Sequence, residues 1–215
     1  MQKMMDVPTR SLDGISFDGA DFWISDVVER TLKKVSIHEQ KVLREIKFMP
    51  GGVPRAVTYT NDSLLVLNYD PKAMTASDLI QINVMNGKTL RALHCPDEID
   101  SGIAFDNTYF WGSSYQNRCL LCFHPATGDI VKTVPMEYPV QALCFDGQHL
   151  IVVMDKRTDP QTPLSQIAVF HPAKLQILKE MEIKAEITGI TYAEDMLFYV
   201  NHQLSEIQVT RIKLD

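Results

Sequence analysis

The chain has 215 residues, of which 45% are hydrophobic and 22% are charged, as expected of a soluble globular protein. Its net charge of −6 comes from 21 Lys and Arg against 27 Asp and Glu residues, which argues against a nucleic-acid or anionic-membrane partner. The first ten residues lack the apolar core of a signal peptide, and no apolar run approaches membrane-spanning length. We therefore expect a cytoplasmic monomer.

Residues 11–50 contain four short strand-like segments, at 14–17, 22–25, 32–37 and 42–48. Turn-forming pairs such as Asp18-Gly19 separate them. Apolar and polar residues alternate in the last two segments, which is the period of half-buried strands. The segment therefore predicts one four-stranded antiparallel unit.

The same unit recurs four more times along the chain. Each copy opens with a small residue and continues with aliphatic and aromatic residues two places apart, and the openers are Gly14, Ala56, Gly102, Ala142 and Gly189. Four-stranded units repeated every 40–50 residues or so are the signature of a β-propeller. We predict an all-β, single-domain, five-bladed β-propeller.

The fifth unit has only three strand patterns, whereas residues 1–9 resemble the fourth strands at 42–50 and 178–183. An N-terminal strand that completes the last blade would remove two open sheet edges. The predicted blades are 11–50, 51–96, 97–138, 139–185, and 186–215 plus 1–9.

The repeat Gly-Ile-x-Phe-Asp-Gly-x-x-Phe-Trp-Ile-x-Asp at 14–26 resembles the blade consensus of NHL/YVTN-like propellers. Five blades look like the glutamine cyclotransferase-like group, and this resemblance covers the whole chain at the level of fold. Those enzymes, which are usually secreted, carry Phe-Thr-Gln/Glu-Gly-Leu at the start of an innermost strand. This chain has Ser-Leu-Asp-Gly-Ile at 11–15 and keeps only the acidic-Gly-aliphatic order.

Two rings of polar residues are predicted at the upper mouth of the central channel. The residues before the small openers are Asp13, Arg55, Ser101, Gln141 and Thr188, and those that end the second strands are Asp26, Asn68, Ser114, Asp155 and Asn201. Polar groups that converge on one concavity form a candidate ligand-binding site. Alternatively, Asp, Asn and Ser end strands because they cap turns. The connections at 69–77 and 156–164 are long, and recognition loops or tolerated drift would explain them equally well.

Other chemistry-bearing residues have structural interpretations. Cys119 and Cys122 lie three apart in a strand pattern and would point to opposite faces, so we expect reduced thiols without zinc. His38, His124 and His171 fall at equivalent turns of different blades and predict no metal site. Trp23 and Trp111 fit between blades. We expect no cofactor.

Two functions remain open at this stage. The first is a binding module that uses its upper face and channel mouth to bind a protein segment or a small polar molecule. The second is a cyclotransferase-like or lyase-like enzyme, with Asp13 or Asp26 as the acid/base. Fold alone does not warrant an activity.

Overall fold

The computed structural model describes residues 2–7, 9, 11–49, 51–159 and 161–212. These residues form twenty strands and no helix. In chain order the strands are β1 Gln2–Asp6, β2 Leu12–Phe17, β3 Phe22–Asp26, β4 Thr31–Val35, β5 Val42–Lys47, β6 Val53–Thr60, β7 Ser63–Asp70, β8 Thr75–Asn83, β9 Thr89–His94, β10 Ile103–Phe105, β11 Phe110–Ser114, β12 Cys119–Phe123, β13 Ile130–Pro135, β14 Val140–Phe145, β15 Leu150–Asp155, β16 Ser165–His171, β17 Gln176–Ile183, β18 Ile187–Ala193, β19 Met196–Asn201 and β20 Glu206–Thr210.

Five four-stranded antiparallel sheets form a ring and confirm the predicted five-bladed propeller. Blades one to four are β2–β5, β6–β9, β10–β13 and β14–β17. Blade five has the order β1-β20-β19-β18, so the N-terminal strand supplies its outer strand, as predicted. Met1 and Pro8 of the predicted closing segment lie outside the described residues.

The core consists of five apolar clusters, and each one lies between two neighbouring blades. In the seam between blades one and two, Trp23 and Leu32 pack against Val57 and Leu64. Second strands such as β3 and β15 are buried along their length, whereas in the outer β5 exposed side chains alternate with half-buried ones and only Ile46 is buried. A blade is therefore stable only between its neighbours.

Crowding near the axis explains the small openers. A Cβ added at Gly189 would overlap the Asp13 carbonyl oxygen, and one added at Gly102 would overlap the Leu143 side chain. Small hydroxyls also join the blades: Ser16 Oγ accepts a hydrogen bond from the Tyr59 N–H at 2.9 Å, and Ser25 Oγ donates to the Arg55 carbonyl oxygen at 2.8 Å.

An aspartate organises the first hairpin of two tryptophan-bearing blades. Asp18 accepts the backbone N–H groups of Ala20 and Asp21, and its other oxygen accepts Trp23 Nε1 at 2.9 Å. Asp106 binds Trp111 Nε1 in the same way at 2.7 Å. The tryptophans therefore pack between blades while each indole N–H is satisfied.

Each cysteine is free and buried. Cys119 packs in the seam between blades two and three, whereas Cys122 packs between blades three and four. The two thiols therefore lie on opposite faces of β12, as the strand pattern predicts. Burial raises the pKa of every one of the four thiols.

Candidate functional site

A cavity of about 400 Å³ opens at the centre of the upper face, which is the face that carries the connections between second and third strands. All five blades line it, through Asp13, Val27, Val53, Arg55, Tyr69, Pro71, Tyr115, Gln141, Arg157, Glu186, Thr188 and His202. Beneath it, the first strands leave only about 10 Å³ around the axis. The mouth is therefore a closed-bottomed bowl within the usual size range of small-ligand sites.

Four of the five residues that precede the small openers line this cavity: Asp13, Arg55, Gln141 and Thr188. Ser101 is buried outside it and donates its hydroxyl hydrogen bond to Asp100. Asp100 also accepts the Tyr115 N–H at 2.7 Å and the Gln116 N–H at 3.1 Å. In blade three, Ser101 and Asp100 therefore stabilise the upper turn between β11 and β12.

The residues that end the second strands do not line the cavity. Asp26 is fully buried and accepts the Val28 and Glu29 N–H groups at 3.0 and 2.9 Å. Ser114 Oγ accepts the Asn117 N–H, and Asn201 Oδ1 accepts the Leu204 N–H. Asn68 is buried at the corresponding end of β7, and Asp155 lies just behind the cavity wall. Turn capping accounts for Asp26, Ser114 and Asn201.

Asp13 and Arg55 form a loose pair across the seam between blades one and two. Arg55 Nε lies 3.7 Å from Asp13 Oδ2, and the guanidinium lies over the Tyr69 ring, 4.6 Å from its centroid. Burial raises the pKa of Asp13 to about 6, against the opposing charges of Arg55 and His202 and a hydrogen bond from Thr188. The carboxyl can therefore exchange a proton near neutral pH.

Arg157 forms a tight network on the opposite wall. Its Nε lies 2.8 Å from Asp155 Oδ2, its Nη1 lies 3.3 Å from Glu186 Oε1, and its Nη2 lies 3.5 Å from the Tyr115 hydroxyl oxygen. The Tyr115 hydroxyl donates to Asp155 at 2.6 Å, and burial together with this bond raises the Tyr115 pKa. The network joins blades three, four and five.

The residues that sequence reasoning missed lie mostly in the connections of the upper face: Val27, Val53, Tyr69, Pro71, Tyr115, Arg157, Glu186 and His202. Three of them do fall in the two connections flagged for their length, namely Tyr69, Pro71 and Arg157. Length pointed to segments rather than to side chains. The signal that could have found Val27, Tyr69, Tyr115 and His202 is their place directly after the predicted ends of the second strands.

The connection predicted at 69–77 is shorter than expected, and this prediction was wrong. β7 continues to Asp70 and β8 begins at Thr75, so only 71–74 form the turn. Cross-strand pairing at Tyr69↔Ala76 extends the hairpin above the ring. The connection at 156–164 lies between β15 and β16 as predicted, with Pro160 outside the described residues.

Two histidines at the lower turns accept hydrogen bonds from backbone N–H groups. His124 Nδ1 accepts the Ala126 N–H at 3.2 Å, and His171 Nδ1 accepts the Lys174 N–H at 3.4 Å. Within the described ranges, no three His, Cys, Asp or Glu side chains are grouped as metal ligands. The described part of the chain also contains no helix that could cross a membrane.

Comparison with known proteins shows the fold. No protein-family model and no curated protein matches the sequence. Among solved structures, glutaminyl cyclase of Myxococcus xanthus superposes with a TM-score of 0.75 at 12% identity, covering 99% of this chain and 96% of that one. A Bacteroides caccae protein of unknown function gives 0.61 at 11% identity, over 88% and 70% of the two chains. The chain therefore shares the five-bladed propeller fold of that glutaminyl cyclase.

Proposed function

We propose that this protein is a binding module whose channel mouth holds a small polar molecule or a protein segment. The proposal rests on the few polar contacts that the Arg55 guanidinium makes. Its guanidinium reaches the cavity, forms one ion pair of 3.7 Å, and donates no hydrogen bond to another described residue. A guanidinium with unused donors in a concave site is suited to an anionic or strongly polar group.

Native mass spectrometry of the purified protein tests this proposal. We expect a bound small molecule that is released on denaturation and that Arg55→Gln no longer retains. Arg91→Gln is the matched control, since Arg91 is exposed on the outer strand β9. Equal retention by wild type and Arg55→Gln would refute a role for the mouth.

A second candidate function is acid–base catalysis, because Asp13 has a pKa of about 6 inside the cavity. The fold shared with a glutaminyl cyclase suggests cyclisation of a glutaminyl substrate. In that reaction an amine nitrogen attacks the side-chain amide carbon, and the amide nitrogen leaves as ammonia. Asp13 would accept the proton of the amine and return it to the leaving nitrogen. Asp26 is fully buried and accepts the Val28 N–H within its turn, so we assign the acid/base role to Asp13.

Ammonia release from a glutaminyl peptide tests the enzymatic candidate. We expect turnover that Asp13→Asn reduces at least about 100-fold, which is the usual contribution of a general acid–base group. Arg91→Gln should retain the wild-type rate. Absence of ammonia above the uncatalysed background, or an unchanged rate in Asp13→Asn, would leave binding as the function.

A further inference from the structure

Exposed apolar side chains are concentrated on one side of the upper face. Four large hydrophobic side chains are more than half exposed on the upper connections of blades five, one and two: Val28 at 58%, Met49 at 82%, Met74 at 58% and Leu204 at 57%. They stand close in sequence to side chains that line the cavity, since Val28 follows Val27 and Leu204 lies two positions beyond His202. Single exposed apolar residues are ordinary, but these four all lie on upper connections of three neighbouring blades.

The rim is polar on the other side. The upper connection of blade three exposes Gln116, Asn117 and Arg118, and that of blade four exposes Asp159 and Gln161. In the described residues of these two connections, no large hydrophobic side chain is exposed. The apolar side is therefore a local feature of the mouth and not a property of the whole upper face.

The cation available to a ligand stands on the apolar side. Arg55 belongs to blade two and lies over Tyr69, at the base of the hairpin whose turn carries Met74. Across the cavity, the carboxylates of Asp155 and Glu186 are already paired with Arg157. An incoming ammonium would meet no unpaired carboxylate on that wall, whereas an incoming carboxylate would meet the Arg55 donors.

We propose that the mouth binds the carboxyl-terminal end of a peptide whose last residues are apolar. Arg55 binds the terminal carboxylate inside the cavity, and the preceding apolar side chains lie on Val28, Met49, Met74 and Leu204. This inference rests on the proposed binding function and names its ligand class. A small molecule confined to the cavity would leave the apolar rim exposed to water, whereas a chain that leaves the cavity on this side covers it.

Matched peptides test the carboxylate. An array presents N-acetylated hexapeptides ending in all pairs of Leu, Ile, Val, Met and Phe, each as the free acid and as the carboxamide. We expect the best free acids to bind at least tenfold more tightly than their amides, and Arg55→Gln to remove that difference. If no free acid on the array binds better than its amide, the inference is wrong.

Rim variants test the path of the chain. Met74→Gln and Leu204→Gln should each weaken binding of the best hexapeptide about fivefold while leaving N-acetyl-leucine binding unchanged. Met85→Gln is the matched control, because Met85 is 73% exposed in the turn at the opposite end of β8. Equal effects of Met74→Gln and Met85→Gln would overturn this path.

The two levels of proposal fail differently. If a co-purifying small molecule depends on Arg55 but the array shows no preference for free acids, the binding function stands and the peptide class is wrong. If neither the native mass spectrum nor the array shows Arg55-dependent binding, the binding function itself is wrong.

Discussion

Two arginines face the same cavity and are held in opposite ways. Arg157 contacts Asp155, Glu186 and Tyr115 through all three of its guanidinium nitrogens. Arg55 has one contact with a carboxylate, at 3.7 Å, and rests on an aromatic ring. Both residues are arginines that line the same bowl, so the difference lies in their partners. A satisfied guanidinium fixes the wall, whereas an under-used one is available to a ligand.

The largest effect is expected from removing the satisfied arginine. Arg157→Ala removes the cation that pairs with Asp155. The carboxylate left behind is buried, since the Asp155 side chain is only 6% exposed. We expect the free energy of unfolding to fall by about 3–4 kcal/mol, in the range of a broken buried pair. Urea denaturation at pH 7 measures it. Arg91→Ala, at an exposed site, should cost less than about 1 kcal/mol, and a similar small loss at Arg157 would erase the contrast.

The next effect comes from Asp13, the weak partner of Arg55. Its pKa is about 6 in the folded protein against 3.8 for an ordinary Asp. The folded state therefore binds the proton more tightly, and stability due to this group falls as pH rises from about 4 to about 6. Asp13→Asn removes that loss, so the variant should exceed wild type by about 2–3 kcal/mol at pH 7.

At pH 3.5 most of the advantage of Asp13→Asn should be lost, because the wild-type carboxyl is then protonated in the folded state and mostly protonated in the unfolded state. Paired urea titrations at the two pH values decide the matter. A variant that is less stable than wild type at pH 7 would mean that the ionised Asp13 is well paired, and the two walls would then be alike.

A smaller effect is expected from the neutral member of the tight network. Tyr115→Phe removes the 2.6 Å hydrogen bond to Asp155 and leaves the ring in place. A hydrogen bond to a charged group contributes about 1.5–2 kcal/mol to stability. Thermal or urea unfolding reports the loss, and Tyr59→Phe, whose hydroxyl bonds Asp62 at an exposed site, serves as control. Equal losses would show that the network adds nothing.

The smallest effect on stability is expected at Arg55 itself. Its side chain is 35% exposed and its ion pair is long, so Arg55→Ala should change the free energy of unfolding by less than about 1 kcal/mol. A double-mutant cycle with Asp13→Asn measures the coupling between the two side chains directly. A coupling above about 2 kcal/mol would place Arg55 with Arg157 as a structural residue.

The sequence predicted the ring well because small openers, alternating strands and first-hairpin turns that contain Asp or Asn are dictated locally and recur in every blade. It predicted four residues of the mouth for the same reason. Asp13, Arg55, Gln141 and Thr188 each come one position before the small opener of their blade, and all four line the cavity. Ser101 does not line the cavity. Its hydroxyl donates to Asp100, which also accepts the Tyr115 N–H and so holds the upper turn of blade three.

Other lining residues also follow the repeat, but at a position that the sequence analysis did not single out. Val27, Tyr69, Tyr115 and His202 each come directly after the predicted end of a second strand, whereas Arg157 comes two positions after Asp155 and pairs with Glu186 of the next blade. The long loop predicted in blade two is absent because Tyr69 pairs with Ala76 across the strands, so that β7 and β8 extend into this segment. Such choices depend on three-dimensional neighbours that periodicity does not encode.

The pairing of β1 with β20 also sets an order of events during synthesis on the ribosome. Each of blades one to four emerges as one continuous stretch, but Asp6 must wait for Glu206, 200 positions later, before blade five exists. Until then Met5 and Val7, which are 2% and 6% exposed in the finished ring, lack the blade-five half of the cluster that buries them. β1 therefore stays unpaired until β20 has been made, and ring closure, with its very long sequence separation, should be the slow final step of folding.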